Sequence, residues 1–347
     1  LIEKNNLGGV CLNEGCIPTK TLLYSAKTYD SAKHASKYAI NVSEVSFDLS
    51  KIIVRKSKVV RKLVLGVKAK LASNNVAIVS GEAQIIDKNT VRCGEETYEG
   101  ENLILCTGSE TFIPPIPGVE TVNYWTHRDA LDNKELPASL AIVGGGVIGM
   151  EFASFFNSLG VQVTVVEMLD EILGGMDKEL SALLRAEYAK RGIKFLLSTK
   201  VVGLSQTEGG AVVSYENAEG SGNVVAEKLL MSVGRRPVTK GFGLENLNLE
   251  KTERGAVKVD EKMQTSVPGV YVCGDLTGFS LLAHTAVREA EVAVHSILGK
   301  EDTMSYRAIP GVVYTNPEIA GVGETEESAS AKGITCQVIK LPMAYSG

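Results

Sequence analysis

The sequence lacks any apolar run of about 18 or more residues, the length that a helix needs to cross the hydrocarbon core of a bilayer. It also lacks an excess of basic residues, because 36 Lys and Arg stand against 41 Asp and Glu and leave a net charge of −5. Such a balance gives no general attraction to nucleic acid or to an acidic membrane surface. We therefore expect a soluble, cytoplasmic protein that binds neither nucleic acid nor a membrane.

Cysteine is scarce, with six residues in 347, and no CxxC pair or Cys/His cluster has the spacing of a zinc site. This pattern excludes a secreted disulfide scaffold, and we expect no metal ligands. Four cysteines are scattered and are expected to be buried small apolar side chains, namely Cys93, Cys106, Cys273 and Cys336.

The length of 347 residues, with 44% apolar and 22% charged residues, suits a globular chain of two or three domains. Both ends look cut, because the chain starts at Leu1 in what reads as the end of a strand and stops at Gly347 after another. Localisation signals upstream of Leu1 would not be visible here. The proline-rich residues 113–118 are the best candidate for a domain boundary.

A long basic helix is predicted after Asp48, with apolar residues from Ile52 to Leu71 at helical spacing along one side. Its basic residues are Lys51, Arg55, Lys56, Lys58, Arg61, Lys62, Lys68 and Lys70. No aromatic residues interleave with these charges, so a solvated face is favoured over binding of nucleic acid or lipid. We assign this helix no ligand.

Residues 140–197 alternate strands and helices, a pattern that is typical of a parallel sheet with helical crossovers. One predicted helix ends at Gly160, and the next is capped by Asp177 and ends at Gly192. Residues 211–233 predict a hairpin around residues 219–222, appended to that sheet.

A GxGxxG fingerprint occupies residues 144–149, directly after a predicted strand and at the start of a predicted helix. Gly144 permits the tight turn, Gly146 lets the backbone approach a pyrophosphate, and Gly149 lets helix and sheet pack closely. Glu167 ends the second strand, where a carboxylate can bind ribose hydroxyls and would repel a 2′-phosphate. No arginine follows at residues 168–170, so NAD is preferred to NADP.

Cys11 and Cys16 lie in a glycine-rich segment that can bend enough to close a small disulfide ring. A helix that begins near Cys16, with Lys20 one turn further on, would stabilise a thiolate. Spacing alone leaves two interpretations equally favoured, redox chemistry and the packing of two buried thiols.

The segment from Leu7 to Lys20 resembles the redox-active signature of the pyridine nucleotide-disulfide oxidoreductases, and its form is most similar to the dihydrolipoamide dehydrogenase branch of that family. Further stretches match the family in the same order, at residues 107–109, 144–151, 233–237, 265–275, 282–286 and 314–318. The resemblance implies an α/β fold with two Rossmann-like domains, each a three-layer structure with a parallel sheet and appended antiparallel strands. The implied divisions are an FAD-binding domain at 1–117, an NAD-binding domain at 118–240, a second FAD-binding part at 241–306 and the start of a C-terminal α+β dimerisation domain at 307–347.

The resemblance also implies an enzyme that oxidises dihydrolipoamide and reduces NAD. Dihydrolipoamide would attack a disulfide at Cys11, Cys16 would become the thiolate that passes electrons to FAD, and a hydride would then reach NAD. Lys20 would lie near the flavin and pair with Glu151. The residues implied for FAD are Glu3, Lys20, Ala83, Thr107, Gly108, Ser109, Asp275, Leu281, Leu282, Ala283 and His284. Those implied for NAD are Gly144, Gly146, Val147, Ile148, Gly149, Glu151, Glu167, Val201 and Gly234.

The implied partner is the lipoyl domain of a 2-oxoacid dehydrogenase or glycine-cleavage complex, and the full-length protein is expected to be a homodimer. The family's first FAD fingerprint would lie upstream of Glu3, and its His-x-His-Pro acid-base segment would lie downstream of Gly347. Two alternatives stay open. One is a glutathione or mercuric reductase-like activity, which Glu167 disfavours, and the other is a non-catalytic nucleotide-binding fragment.

Overall fold

The N-terminal part of the chain carries the two clustered cysteines on a pair of helices. The computed structural model describes residues 1–345, and this part contains β1 (Ile2–Glu3), α1 (Gly9–Glu14), α2 (Cys16–Lys33), α3 (Leu49–Ser73), β2 (Val79–Ser80), β3 (Ala83–Ile85), β4 (Thr90–Cys93), β5 (Glu96–Glu99), β6 (Leu103–Leu105) and β7 (Ser109–Thr111). Strand β1 pairs in parallel with β2, whereas β3, β4 and β5 form a small antiparallel sheet. A helix does begin at Cys16, as predicted.

Helix α3 begins after Asp48, as predicted, and the Asp48 carboxylate accepts a hydrogen bond from the Lys51 N–H at 3.0 Å. The prediction of a solvated basic face is wrong for Lys56, which is buried while the other basic side chains of the helix are exposed. The Lys56 ammonium donates to the Leu131 carbonyl at 3.0 Å and to the Asp132 carboxylate. These acceptors compensate the buried charge, which would otherwise be too costly to desolvate.

The middle part of the chain is built on a five-stranded parallel sheet. Its elements are β8 (Tyr124–Trp125), α4 (His127–Asp132), β9 (Ser139–Val143), α5 (Val147–Ser158), β10 (Gln162–Val166), α6 (Lys178–Lys190), β11 (Lys194–Leu196), β12 (Lys200–Thr207), β13 (Gly210–Asn217), β14 (Gly220–Ala226) and β15 (Lys228–Met231). The strand order is β11-β10-β9-β15-β8, with every pairing parallel. Strands β9 and β15 are apolar and buried beyond their first residues, as expected where both faces of a sheet are covered.

The predicted hairpin of residues 211–233 differs from the structure in its extent and its place. Strands β13 and β14 do form an antiparallel hairpin, but β12 joins them in a separate three-stranded sheet. Residues 228–231 leave the hairpin and return to the parallel sheet as β15, between β9 and β8. The predicted hairpin is therefore confirmed for β13 and β14 but wrong beyond residue 226, because a short apolar run does not reveal which strand it will pair with.

The last part of the chain contributes two strands that pair with strands of the N-terminal part. Its elements are β16 (Arg235–Pro237), β17 (Val270–Val272), α7 (Ala283–Ile297), β18 (Gly311–Val313), β19 (Ile319–Gly321) and α8 (Glu326–Ala331), with 3₁₀ turns along the chain at Ala35–Tyr38, Leu244–Leu247, Gly274–Thr277 and Met343–Tyr345. Strand β17 pairs in parallel with β6, and β16 pairs antiparallel with β7. The predicted α/β class, with parallel sheets and appended antiparallel strands, is confirmed. Within residues 1–345, no helix has both the length and the apolarity needed to cross a membrane.

The four scattered cysteines divide into two groups. Cys93 and Cys273 are buried, as predicted, but Cys106 and Cys336 are exposed, so the prediction is wrong for them. Cys106 lies just past the end of β6, and Cys336 lies in the irregular segment after α8. Neither residue is inside a regular element whose packing would cover it.

The N-cap of α6 can be tested by substitution. The Asp177 carboxylate accepts hydrogen bonds from the N–H groups of Glu179 and Leu180 at 3.0 and 3.1 Å. We expect Asp177→Ala to lower the free energy of unfolding by about 1 kcal/mol, because two backbone donors lose their partner. Urea unfolding followed by circular dichroism measures this change. Asp177→Asn is the matched control since Asn also caps helices, and an equal loss in both variants would contradict the role of the cap.

Candidate functional site

Helices α1 and α2 bring Cys11 and Cys16 side by side. The two helices meet at Gly15, where a Cβ atom would lie 2.9 Å from the Val10 carbonyl oxygen and 3.1 Å from the Cys11 Cα. A residue with a side chain would push the helices apart, so glycine is needed for this approach. The Asn13 amide donates to the carbonyl of Gly9 at 2.9 Å, within α1, and to the carbonyl of Leu7 at 3.0 Å, which secures the turn that leads into α1.

The two thiols lie close together, and their interaction divides their charge unequally. The pKa of Cys16 is lowered to about 6, first because the Cys11 thiol donates a hydrogen bond to its thiolate and also because Lys20 is positively charged, while burial opposes both. The pKa of Cys11 is raised by the same hydrogen bond and by burial. At neutral pH the pair therefore holds a thiolate at Cys16 and a proton at Cys11.

The charge on Lys20 is positioned by Glu151 of helix α5. The Lys20 Nζ lies 2.7 and 2.8 Å from the two Glu151 carboxylate oxygens, and Glu151 is only 3% exposed. The same carboxylate accepts the Tyr314 N–H at 3.1 Å, and the Lys20 ammonium lies 4.8 Å from the centre of the Tyr314 ring. Tyr314 lay in a stretch that matched the family motif, but sequence reasoning assigned it no role.

An ion pair that sequence reasoning missed holds the cysteine segment from the other side. Glu14, between the two cysteines, accepts hydrogen bonds at 2.5 and 2.6 Å from the Arg128 guanidinium on α4. This two-pronged contact holds the pKa of the Glu14 carboxyl below its usual range. The two residues are 114 positions apart, and either would read as an ordinary surface charge in the sequence.

The glycine turn at residues 144–149 lies at the carboxyl end of β9, at the centre of the parallel sheet. Gly144 has a φ of 105°, and a Cβ atom there would lie 2.3 Å from the Ser232 carbonyl oxygen. A Cβ on Gly149 would lie 2.1 Å from the Gly144 carbonyl oxygen. At Gly146, by contrast, no described atom lies within 4 Å of that position. Two glycines are thus required by the fold, and Gly146 leaves open space above the turn.

Glu167 reaches back from the end of β10 to the same turn. Its carboxylate accepts the Gly145 N–H at 2.6 Å and the Leu169 N–H at 2.8 Å. Val147 is exposed in the first turn of α5, whose N-terminal N–H groups face the space above Gly146. Free amide donors, open space and a neighbouring carboxylate fit the pyrophosphate and ribose of a dinucleotide.

The other residues predicted for NAD are spread around this turn. Ile148 is half-buried on α5, Val201 is half-buried on β12, and Gly234, with a φ of 117°, links β15 to β16. Val201 packs against the same apolar cluster as Val233, which precedes Gly234.

Ser109 and Asp275, both predicted for FAD, meet beyond the carboxyl ends of β6 and β17. The Ser109 hydroxyl donates to the Asp275 carboxylate at 2.5 Å and accepts a hydrogen bond from the Arg235 Nε at 2.7 Å. Arg235 also donates to the Ser109 carbonyl at 2.6 Å. Sequence reasoning gave Arg235 no role, although it lay in a stretch that matched the family.

The remaining residues predicted for FAD lie on several separate segments of the chain. Thr107 is exposed and donates to the Val238 carbonyl at 3.0 Å, and Gly108 has a φ of 69°. The segment 281–284 is exposed at the start of α7. Glu3 and Ala83 lie on β1 and β3. Hydroxyls, a carboxylate and the open first turn of a helix fit the ribityl and phosphate parts of a flavin dinucleotide.

The lowered pKa of Cys16 predicts a pH dependence for alkylation of the reduced protein. Only the thiolate reacts, so the rate of Cys16 alkylation by iodoacetamide should be half-maximal near pH 6 and fall below that pH. Site-resolved mass spectrometry measures the rate. Cys11→Ala should raise the midpoint because it removes the hydrogen bond to the thiolate. A wild-type midpoint near the value of about 8.5 for an ordinary cysteine would contradict the proposed charge distribution.

Two comparisons bear on the sequence as a whole. Residues 1–290 match the sequence model of the family described as pyridine nucleotide-disulphide oxidoreductase, and residues 309–347 match the dimerisation domain of that family. The chain is 38% identical over 352 residues to a dihydrolipoyl dehydrogenase of Geobacillus stearothermophilus, covering 100% of this chain and 74% of that one. It is 39% identical over 350 residues to a dihydrolipoyl dehydrogenase of Thermus scotoductus, covering 100% of this chain and 75% of that one.

Solved structures agree with these matches. An HOCl-induced flavoprotein disulfide reductase from Escherichia coli superposes with a TM-score of 0.85 at 31% identity, covering 99% of this chain and 76% of the other. LpdA from Mycobacterium tuberculosis superposes with a TM-score of 0.89 at 26% identity, with the same coverage of 99% and 76%. The prediction of a flavin- and pyridine nucleotide-dependent oxidoreductase is confirmed. The chain belongs to the pyridine nucleotide-disulphide oxidoreductase family.

Proposed function

We propose that this chain catalyses the oxidation of dihydrolipoamide to lipoamide with reduction of NAD, as a dihydrolipoyl dehydrogenase with FAD and NAD as its cofactors. The observation that carries the proposal is the thiol pair Cys11–Cys16, in which Cys16 has a pKa of about 6 beside the Lys20–Glu151 ion pair. Relatives named dihydrolipoyl dehydrogenase that match the whole chain support the choice of substrate.

The reaction begins with the pair in its disulfide form. A thiolate of dihydrolipoamide attacks the sulfur of Cys11, the S–S bond breaks, and its electron pair leaves on Cys16. The positive charge of Lys20, which helps to lower the pKa of Cys16, also makes Cys16 the better leaving group. The second lipoyl thiol, once deprotonated, attacks the lipoyl sulfur of the mixed disulfide. The bond between that sulfur and Cys11 breaks. Oxidised lipoamide is released, and Cys11 takes up a proton.

Two electrons then reside on the reduced cysteine pair. Bound FAD supplies the chemistry that converts this electron pair into a hydride for NAD. In the chain itself, Lys20 keeps Cys16 charged, and Glu151 keeps Lys20 in place at 2.7 Å. We assign Cys11, Cys16, Lys20 and Glu151 to catalysis on this basis.

The nucleotide roles follow from the chemistry of each region. We assign NAD to the turn at residues 144–149, where Gly146 leaves room for a pyrophosphate and Glu167 supplies a carboxylate for ribose hydroxyls. That carboxylate disfavours the 2′-phosphate of NADP. We assign FAD to the region of Ser109 and Asp275, together with the other flavin residues named from the sequence.

We also propose the larger organisation. Residues 1–117 and 241–306 would bind FAD, residues 118–240 would bind NAD, and residues 307–347 would begin the dimer interface. The match of residues 309–347 to a dimerisation domain supports a homodimer. The electron donor would be a lipoyl domain of a 2-oxoacid dehydrogenase or glycine-cleavage complex. The cytoplasmic location stays a prediction from composition.

Visible spectroscopy of the flavin-loaded enzyme tests the proposed function. We expect anaerobic dihydrolipoamide to produce a long-wavelength charge-transfer band from the Cys16 thiolate to the flavin, because reduction frees that thiolate. Cys16→Ser should abolish the band, whereas Cys336→Ser, at an exposed cysteine outside the pair, should retain it. Steady-state rates should favour NAD(H) over NADP(H).

Three outcomes of these measurements would contradict the proposal. A clear preference for NADPH would favour a glutathione or mercuric reductase-like activity. A colourless protein would favour a non-catalytic nucleotide-binding fragment. An unchanged band in Cys16→Ser would refute the role of Cys16.

The glycine turn gives a matched pair of variants for the NAD site. Gly146→Ala should leave the thermal unfolding midpoint nearly unchanged, since its Cβ meets open space, yet weaken NADH binding because the methyl group occupies the approach of the pyrophosphate. Gly149→Ala should lower the unfolding midpoint, since its Cβ would lie 2.1 Å from a backbone oxygen. Calorimetric titration with NADH and thermal unfolding separate the two effects. Unaltered NADH affinity in Gly146→Ala would place the pyrophosphate elsewhere.

A further inference from the structure

A second pair of cysteines lies side by side, at the carboxyl ends of strands β6 and β17. The parallel register pairs Leu105 with Val272, so the next residue on each strand is a cysteine, Cys106 beside Cys273. The Cys273 N–H still donates to the Leu105 carbonyl at 3.1 Å, which extends the strand ladder to this position. Neighbouring strands lie about 4.8 Å apart, within the range of about 4.4–6.8 Å between Cα atoms that a disulfide can bridge.

The two thiols differ in access and in charge. Cys106 is exposed, whereas Cys273 is 2% exposed. The Cys273 thiol donates a hydrogen bond that lowers the pKa of Cys106, although the protein atoms around the Cys106 sulfur and the nearby Glu289 carboxyl oppose this effect. The same hydrogen bond, together with burial, raises the pKa of Cys273. The exposed residue of the pair is thus the one whose sulfur favours the thiolate, while the thiol of the buried Cys273 keeps its proton.

We propose that Cys106 and Cys273 are a second oxidisable dithiol, separate from Cys11–Cys16, which peroxides convert into an intrachain disulfide. The Cys106 thiolate attacks one oxygen of the peroxide, the O–O bond breaks, and Cys106 becomes a sulfenic acid as hydroxide leaves. Cys273 then loses its proton and attacks the Cys106 sulfur. The S–OH bond breaks, the S–S bond forms, and water leaves. Two electrons pass from the two sulfurs to the peroxide.

The position of the pair connects this oxidation to the proposed flavin region. Cys106 directly precedes the segment 107–109, and Cys273 precedes Asp275 by two residues. The Asp275 carboxylate accepts its hydrogen bond from Ser109 across the same two strand ends. A disulfide here would fix the spacing of those ends, and thiol reductants would release it.

Peptide mapping of the flavin-loaded enzyme tests the proposal. The reduced enzyme is treated with hydrogen peroxide, its remaining thiols are alkylated, and it is digested without reduction for mass spectrometry. We expect a linked pair of peptides that joins Cys106 to Cys273, two hydrogens lighter than the separate thiol peptides. Cys11→Ser/Cys16→Ser should retain this linkage, so that its formation does not depend on the proposed catalytic function.

Two serine variants show the order of the steps. In Cys273→Ser the sulfenic acid has no thiol to attack it, so dimedone labelling of Cys106 should rise several-fold over the wild type. In Cys106→Ser both the linkage and the labelling at this position should disappear. Cys336, exposed on another part of the chain, is the internal reference for peroxide exposure. Flavin absorbance and thermal unfolding before oxidation establish that each variant is folded.

Wild-type mapping is decisive even if a variant fails to fold. Cys106 that stays fully alkylatable after peroxide, or that is linked to another cysteine, overturns the proposal. So does dimedone labelling of Cys106 that is as strong in the wild type as in Cys273→Ser.

Discussion

The carboxylate of Glu151 lies where three separate parts of the chain meet, and it is only 3% exposed. It binds Lys20 from the cysteine-bearing helix α2 and the Tyr314 N–H from the last part of the chain, while its own helix α5 begins at the glycine turn. A buried carboxylate is tolerated only when its charge is compensated. The contact that joins these parts therefore also places the positive charge that favours the Cys16 thiolate.

Local sequence signals predicted those elements of the fold that local interactions control. Asp48 and Asp177 mark helix starts because a side-chain carboxylate bonds to backbone N–H groups two or three residues on. Gly160, with a φ of 94°, marks a helix end for an equally local reason. Strand β15 could not be placed in this way. Its apolar run fits a hairpin or a parallel sheet, and only pairing with β9 and β8 decides between them.

The residues of the candidate site also fall into those that local sequence identifies and those that only the fold brings together. The Cys11–Cys16 segment and the glycine turn are short motifs, so their residues could be named from the sequence. The Glu14–Arg128 pair joins residues 114 positions apart, and Cys106 meets Cys273 only through the register of two strands. From the sequence alone, each of these residues can equally be interpreted as a surface charge or a small buried side chain. Without the fold, nothing in the local sequence favours the pairing.

The two dithiols differ in the charge that lies beside each. At Cys16 the Cys11 hydrogen bond favours the thiolate, and the positive Lys20 adds to that effect. At Cys106 the Cys273 thiol favours the thiolate, while the carboxyl of Glu289, which is buried and accepts the Gly274 N–H at 2.5 Å, acts against it. Since thiol exchange requires a thiolate, rapid turnover belongs at the pair beside the cation. At the proposed second pair, the neighbouring carboxyl partly offsets the hydrogen bond that favours the thiolate.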